Sequence, residues 1–165
     1  MSRNLAAVIT LWAMLAASSA IAGKVNMPKE GNFEFAWCYV AQGKAITSGD
    51  KLFVITYHGV ANSHSDPTGR PFDQMGGRCY GTFATINGKS QGFGVCELAD
   101  QDGDKWWMEY HDNAEGSGGT YTSALGTGKY EGMTLKGEYR SMTWPGTPDA
   151  TFQGCNPNKG TYKLK

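Results

Sequence analysis

Histidines, aspartates, cysteines and aromatic residues are the side chains of this sequence whose types and spacing bear on chemistry. His58, His64 and His111 are its three imidazoles, enough to hold zinc or copper if brought to one rim. Their spacing matches no recognised ligand pattern, so no metal and no cofactor is expected. A pairing of His58 with Glu109 is the one acid–base couple considered. Residues 100–104 read Asp-Gln-Asp-Gly-Asp, and alternating carboxylates are how a loop wraps calcium. The EF-hand template fails, because Lys105 stands where its glycine belongs and His111 where its glutamate belongs. A turn with solvated aspartates is the preferred reading and calcium its rival. No Gly-x-Ser-x-Gly elbow and no phosphate-cradling loop occurs.

The four cysteines, Cys38, Cys79, Cys96 and Cys155, are better read as two disulfides than as thiolates in an exported chain. Asn87-Gly88 is a strong two-residue hairpin signal, because both central residues of a type I′ turn need positive φ. Opposed residues in such a hairpin have a constant index sum, here that of Ile86 and Lys89. Cys79 and Cys96 share it. They also fall on a non-hydrogen-bonded pair, where a bridge fits most easily. If the turn instead belongs to a longer loop, the match is accidental. Cys38 and Cys155 are left to pair, which would sew the first and last parts of the chain together. Loop entropy gives about 4–5 kcal/mol for that bridge and about 3 for the hairpin bridge.

Export is read from the N-terminus. Arg3 precedes an uncharged apolar run at 5–17, and Ala20-Ile21-Ala22 completes a cleavage pattern before Gly23. Residues 1–22 are therefore expected to be a signal peptide and 23–165 the mature domain, periplasmic or secreted. The apolar run is shorter than the roughly 20 residues that span a bilayer, so no membrane insertion is expected after cleavage. Lys+Arg and Asp+Glu both number 15, and no basic patch interleaves with aromatics, which argues against nucleic acid. The 23 glycines point to many short strands and tight turns.

The strands follow from alternation. Residues 32–40 (NFEFAWCYV) place Phe33, Phe35, Trp37 and Tyr39 on one face. Further strands are expected at 51–58, 79–86, 89–96, 95–99, 105–111, 120–125, 135–142 and 161–165. The stretch 59–77 is expected to be a long connection, either functional or mobile. A second type I′ turn at Asp102-Gly103 would set Cys96 opposite Glu109 and Leu98 opposite Trp107. The result is an all-β, single antiparallel up-and-down barrel of about eight strands.

Residues 126–139, GTGKYEGMTLKGEY, resemble the glycine-rich segment of allene oxide cyclases, dirigent proteins and bacterial exported relatives. Thr127, Gly128, Tyr130 and Gly132 occupy the core of that pattern, and Leu125 replaces its first glycine. Residues 94–105 resemble a turn found in small exported barrels of this type. The resemblance implies a calycin-like, allene-oxide-cyclase-like barrel. The plant cyclases act on an unsaturated fatty-acid epoxide, and dirigents steer coupling of phenoxy radicals. No catalytic residue maps onto this chain through the glycine motif.

The candidate ligand-binding residues are Trp37, Tyr39, Tyr57, Tyr80, Trp106 and Tyr110. Neighbouring Trp106 and Trp107 must face opposite sides of their strand. Gly81, Gly92 and Gly94 leave room for a ring to lie on backbone. The sequence leaves open which face is interior, and whether the interior is filled or hollow. The expected role is binding of a small apolar or aromatic molecule. An isomerase or cyclase working by substrate positioning is the alternative. A third reading is an oligomeric interaction or inhibitor module acting through 59–77, and a homo-oligomer is possible through the outward tryptophan.

Overall fold

The computed structural model describes residues 27–144 and 151–165; the signal-peptide assignment to 1–22 lies outside them. Among the described residues nine strands form one antiparallel sheet: β1 (Glu30–Ser48), β2 (Leu52–His64), β3 (Gly76–Ile86), β4 (Lys89–Ala99), β5 (Lys105–Asp112), β6 (Gly118–Gly126), β7 (Thr134–Arg140), β8 (Thr143–Trp144) and β9 (Thr151–Lys163). Neighbours in sequence pair from β1 to β7, β7 pairs with β9, and β9 returns to β1. Eight strands thus close the barrel, and closure removes the open edges. The short β8 pairs with β9 just beyond β7, as an extra strand.

The central hairpin has the register that its turn residues dictate. Asn87 and Gly88 have φ of 50° and 77°, Ile86 opposes Lys89, and Cys79 opposes Cys96. Both disulfides form, Cys79–Cys96 with Cα atoms 4.0 Å apart and Cys38–Cys155 with 3.9 Å. Cys38 and Cys155 are direct partners across β1 and β9, so the second bridge lies on the closing seam.

The next turn differs from expectation. Cys96 opposes Met108 and Leu98 opposes Trp106, one position away from the two-residue reading. Only Gly103 of its pair has positive φ. The Asp100 carboxylate accepts from the backbone N–H of Asp102 and Asp104, and the Asp100 carbonyl accepts from Gly103 N–H. This local capping stabilises a five-residue loop and shifts the partner strand.

Strands also run further than their alternation suggested. β2 continues to His64, so the connection to β3 shrinks to 65–75. That segment turns into the barrel, with Phe72, Asp73 and Met75 buried. Asp73, 3% exposed, accepts from the N–H groups of Ser65 and Gly69, each at 2.7 Å. Ser63 Oγ donates to Phe72 O and accepts from Met75 N–H. These bonds hold Phe72 at φ 64° and drive its ring into the end of the barrel. There it packs against Phe33, Phe35, Trp106, Tyr130 and Tyr162, with centroids 5.2–6.3 Å away. Leu98, Met75, Met133 and Leu135 complete this filled half.

Candidate functional site

Phe33, Phe35 and Trp37 are buried while Glu34 is exposed, which identifies the aromatic face of β1 as the interior. Beyond the plug formed by 65–75, the other half of the barrel is hollow. Its cavity has a volume of about 770 Å³, within the usual range for small-molecule sites. Trp37 and Tyr121 stand near the filled half. Ala45 and Phe53, both exposed, stand at the opposite end, where the turns at 49–51 and 87–88 lie. Interior filling and an interior pocket, alternatives on sequence grounds, occupy separate halves.

One belt of paired residues crosses the cavity wall. Tyr57 opposes Gly81, Gly81 opposes Gly94, and Gly94 opposes Tyr110. Tyr110 opposes Tyr121, and Tyr121 opposes Gly137. A Cβ at Gly81 or Gly94 would strike the Tyr110 hydroxyl, and one at Gly137 would strike the Tyr121 ring. The glycines therefore set where the phenols lie. Tyr57 and Tyr110 share a hydrogen bond of 2.5 Å. Burial pushes the Tyr57 phenol up to about 12, and raises Tyr110, Tyr121 and Tyr139 as well. All four remain neutral donors at ordinary pH. Among the described residues the buried Tyr121 hydroxyl finds no partner, although it lines the cavity.

A single carboxylate, Asp112 at the end of β5, joins these phenols. It accepts from the Tyr139 hydroxyl, and its other oxygen lies over Gly92, where a Cβ would collide with it. Burial holds its carboxyl above the ordinary range, partly offset by the Tyr139 hydrogen bond and by nearby His111. On the far wall Phe152 meets Tyr39 and Tyr57 edge-on, with centroids at 6.2 and 5.4 Å. Tyr39 is tied to Thr143 at 2.6 Å.

Of the expected ligand-binding residues, Trp37, Tyr39, Tyr57 and Tyr110 line this cavity together. Trp106 does not reach it. Its side chain is fully buried in the filled half and its indole N–H points to Met75 Sδ at 3.4 Å. Tyr80 is 61% exposed on the outer wall, stacked on His58, in an outward apolar strip with Val95 and Phe93. Trp107 faces away from Trp106, as strand geometry requires. The Cys79–Cys96 bridge lies on the cavity wall.

Asp112, Tyr121, Tyr139 and Phe152 were missing from the expected site. Asp112 shares the parity of Met108 and Tyr110 and lies one residue beyond the expected end of that strand. Phe152 belongs to β9, whose first ten residues were not expected to be a strand at all. Pro157 interrupts its pattern, yet it falls between the residues that pair with β7 and those that pair with β8, where a missing donor is tolerated.

The aspartates of 100–104 face a lysine. Lys129 Nζ lies 2.8 Å from Asp100, 2.6 Å from Asp102 and 4.0 Å from Asp104, and Tyr130 donates to Asp100 at 3.0 Å. The Thr127–Tyr130 motif thus locks the β4–β5 loop at the plugged end, away from the cavity. Exposed His111 pairs with Glu109 at 3.1 Å. Among the described residues no group of His, Cys, Asp and Glu is arranged to hold a metal ion, and no helix is long and apolar enough to cross a membrane.

No family model and no curated protein matches the chain by sequence. Solved structures do match by shape. The pterocarpan synthase dirigent protein GePTS1 superposes with a TM-score of 0.50 at 8% identity, over 85% of this chain and 94% of its own. The pterocarpan synthase dirigent protein PsPTS1 gives 0.49 at 10% identity, over 85% of this chain and 99% of its own. The fold is a dirigent-like β-barrel.

Proposed function

We propose that the protein is an exported binding barrel that holds a small apolar or aromatic molecule in its hollow half. The observation that carries this reading is a cavity of about 770 Å³ walled by Trp37, Tyr39, Tyr57, Tyr110 and Phe152, beside an interior half that is fully packed. Apolar walls supply affinity through water release, and a few phenols fix orientation. The likeness to dirigent barrels contributes the fold; the reading rests on the cavity. Two disulfides fit an oxidising compartment outside the cytoplasm, and the leader-like N-terminus supports export to the periplasm or beyond.

The test is binding of a neutral environment-sensitive dye such as Nile red. The protein should enhance its emission saturably. Ala45→Trp, a substitution in the lining at the exposed mouth, should weaken binding at least about tenfold by taking space the dye occupies, with the melting temperature unchanged. Dye bound equally by both proteins would place it on the outer wall and refute the reading.

A second reading, an isomerase or cyclase that positions a hydrophobic substrate, draws on the half-buried Asp112 and its Tyr139 partner. A carboxyl whose pKa is raised by partial burial can serve as a proton donor to a substrate held against apolar walls. Turnover of a reactive carbonyl or epoxide substrate that Asp112→Asn abolishes, with substrate binding retained, would favour the enzyme over the carrier.

A further inference from the structure

We propose that the hollow half selects an organic cation: an ammonium or similar positive head on an apolar or aromatic body, with Asp112 as its counter-ion. The proposal rests on the cavity being the binding site and adds the charge of its occupant.

Three observations point this way. First, the described residues of the cavity wall include no lysine, arginine, histidine or glutamate; Asp112 is the one carboxylate among them. An anionic ligand would meet a like charge and no compensating cation. Second, the carboxylate is built into the wall. Gly92 on β4 leaves the space that one oxygen occupies, and the Tyr139 hydroxyl bonds to the other. A carboxylate has about four acceptor positions, so one phenol leaves most of them unused. Third, the surroundings are aromatic. Tyr39, Tyr57, Tyr110 and Tyr139 line the same cavity as Asp112, and Phe152 packs against two of them.

Partial burial outweighs the Tyr139 hydrogen bond and nearby His111, and leaves the Asp112 charge short of compensation. A neutral occupant would displace water and worsen that. A cationic head would neutralise the carboxylate and present its charge to ring faces, where cation–π attraction adds to the Coulomb term. A carboxylate in an aromatic-walled cavity is the chemistry that recognises alkylated ammonium groups, whose methyls suit apolar walls better than a hydrated lysine-like amine does.

The experiment is calorimetric titration of the wild-type protein with three probes sharing one ring system: naphthylmethyl-trimethylammonium, its uncharged ether analogue, and naphthylacetate. The cation should bind about tenfold more tightly than the ether, and the carboxylate most weakly. In Asp112→Asn the ratio of cation to ether affinity should fall several-fold, to the share that cation–π attraction supplies. The melting curve of the variant reports its folding, and the order of the three probes on the wild type decides the matter alone if the variant does not fold. A cation no tighter than the ether, or a preference undiminished in Asp112→Asn, overturns the charge assignment and leaves the cavity reading standing. Failure of all three probes to bind overturns both.

Discussion

The hydroxyl oxygens of Tyr57 and Tyr110 lie 2.5 Å apart, although β3 and β4 run between their strands. They meet because the two intervening positions in that row are Gly81 and Gly94. Neither glycine has positive φ, so the requirement there is steric. Gly94→Ala should push the Tyr110 ring aside, break the phenol pair and cost about 1–3 kcal/mol, the usual range for overpacking a filled site. Urea unfolding measures the loss, and a variant as stable as wild type would show that the ring does not need that space.

Phe72 is the centre of the plug. Its ring contacts five aromatic neighbours and is 2% exposed. Phe72→Ala should therefore cost about 3–5 kcal/mol, and Phe72→Leu clearly less. Denaturant midpoints give both values. A loss below about 1 kcal/mol for the alanine variant would mean that 65–75 does not seat inside the barrel.

The half-buried Asp112 carboxyl keeps its proton to higher pH in the folded state than in the unfolded chain. Its contribution to stability therefore falls as pH rises from the unfolded value, about 4, to the raised folded value, and is level above that. Asp112→Asn removes this loss. In melts across that window, the difference between variant and wild type should move in the variant's favour with rising pH, then stay constant. Movement in the opposite direction would show that its partners outweigh its burial.

The disulfides close loops of very different length, with separations of 117 and 17 residues. Replacing both Cys38 and Cys155 with alanine should cost about 4–5 kcal/mol, against about 3 for the entropic part of Cys79–Cys96. Peptide mapping without reduction should link 38 to 155 and 79 to 96. A link between either inner and either outer cysteine would break the register on which the barrel rests.

Much of the frame is readable from a few local rules. Asn87-Gly88 fixes a register, the register places Cys79 against Cys96, and the remaining cysteines close the cylinder. Parity on 32–40 names the inward ring face once one side is known to be buried. The errors have local causes too. Asp100 caps two backbone donors and turns a two-residue hairpin into a five-residue loop, which alternation cannot reveal. The segment 65–75 is rich in turn residues, and the insertion of Phe72 depends on Asp73 and Ser63 acting across space. The site was half visible: Trp37, Tyr39, Tyr57 and Tyr110 are inward by parity. Asp112 and Phe152 lay where strands outlast their hydrophobic signal, while Tyr80 and Trp106 required knowing which face is inside and how deep the plug reaches.

The proposed function requires a small molecule to sit in the hollow half. NMR of the protein with a saturating neutral naphthalene ether tests this directly, through intermolecular contacts between probe and side-chain protons. Contacts to Tyr39, Tyr57, Tyr110 and Phe152 are predicted. Contacts confined to Tyr80, Phe93 and Val95 on the outer wall would contradict it.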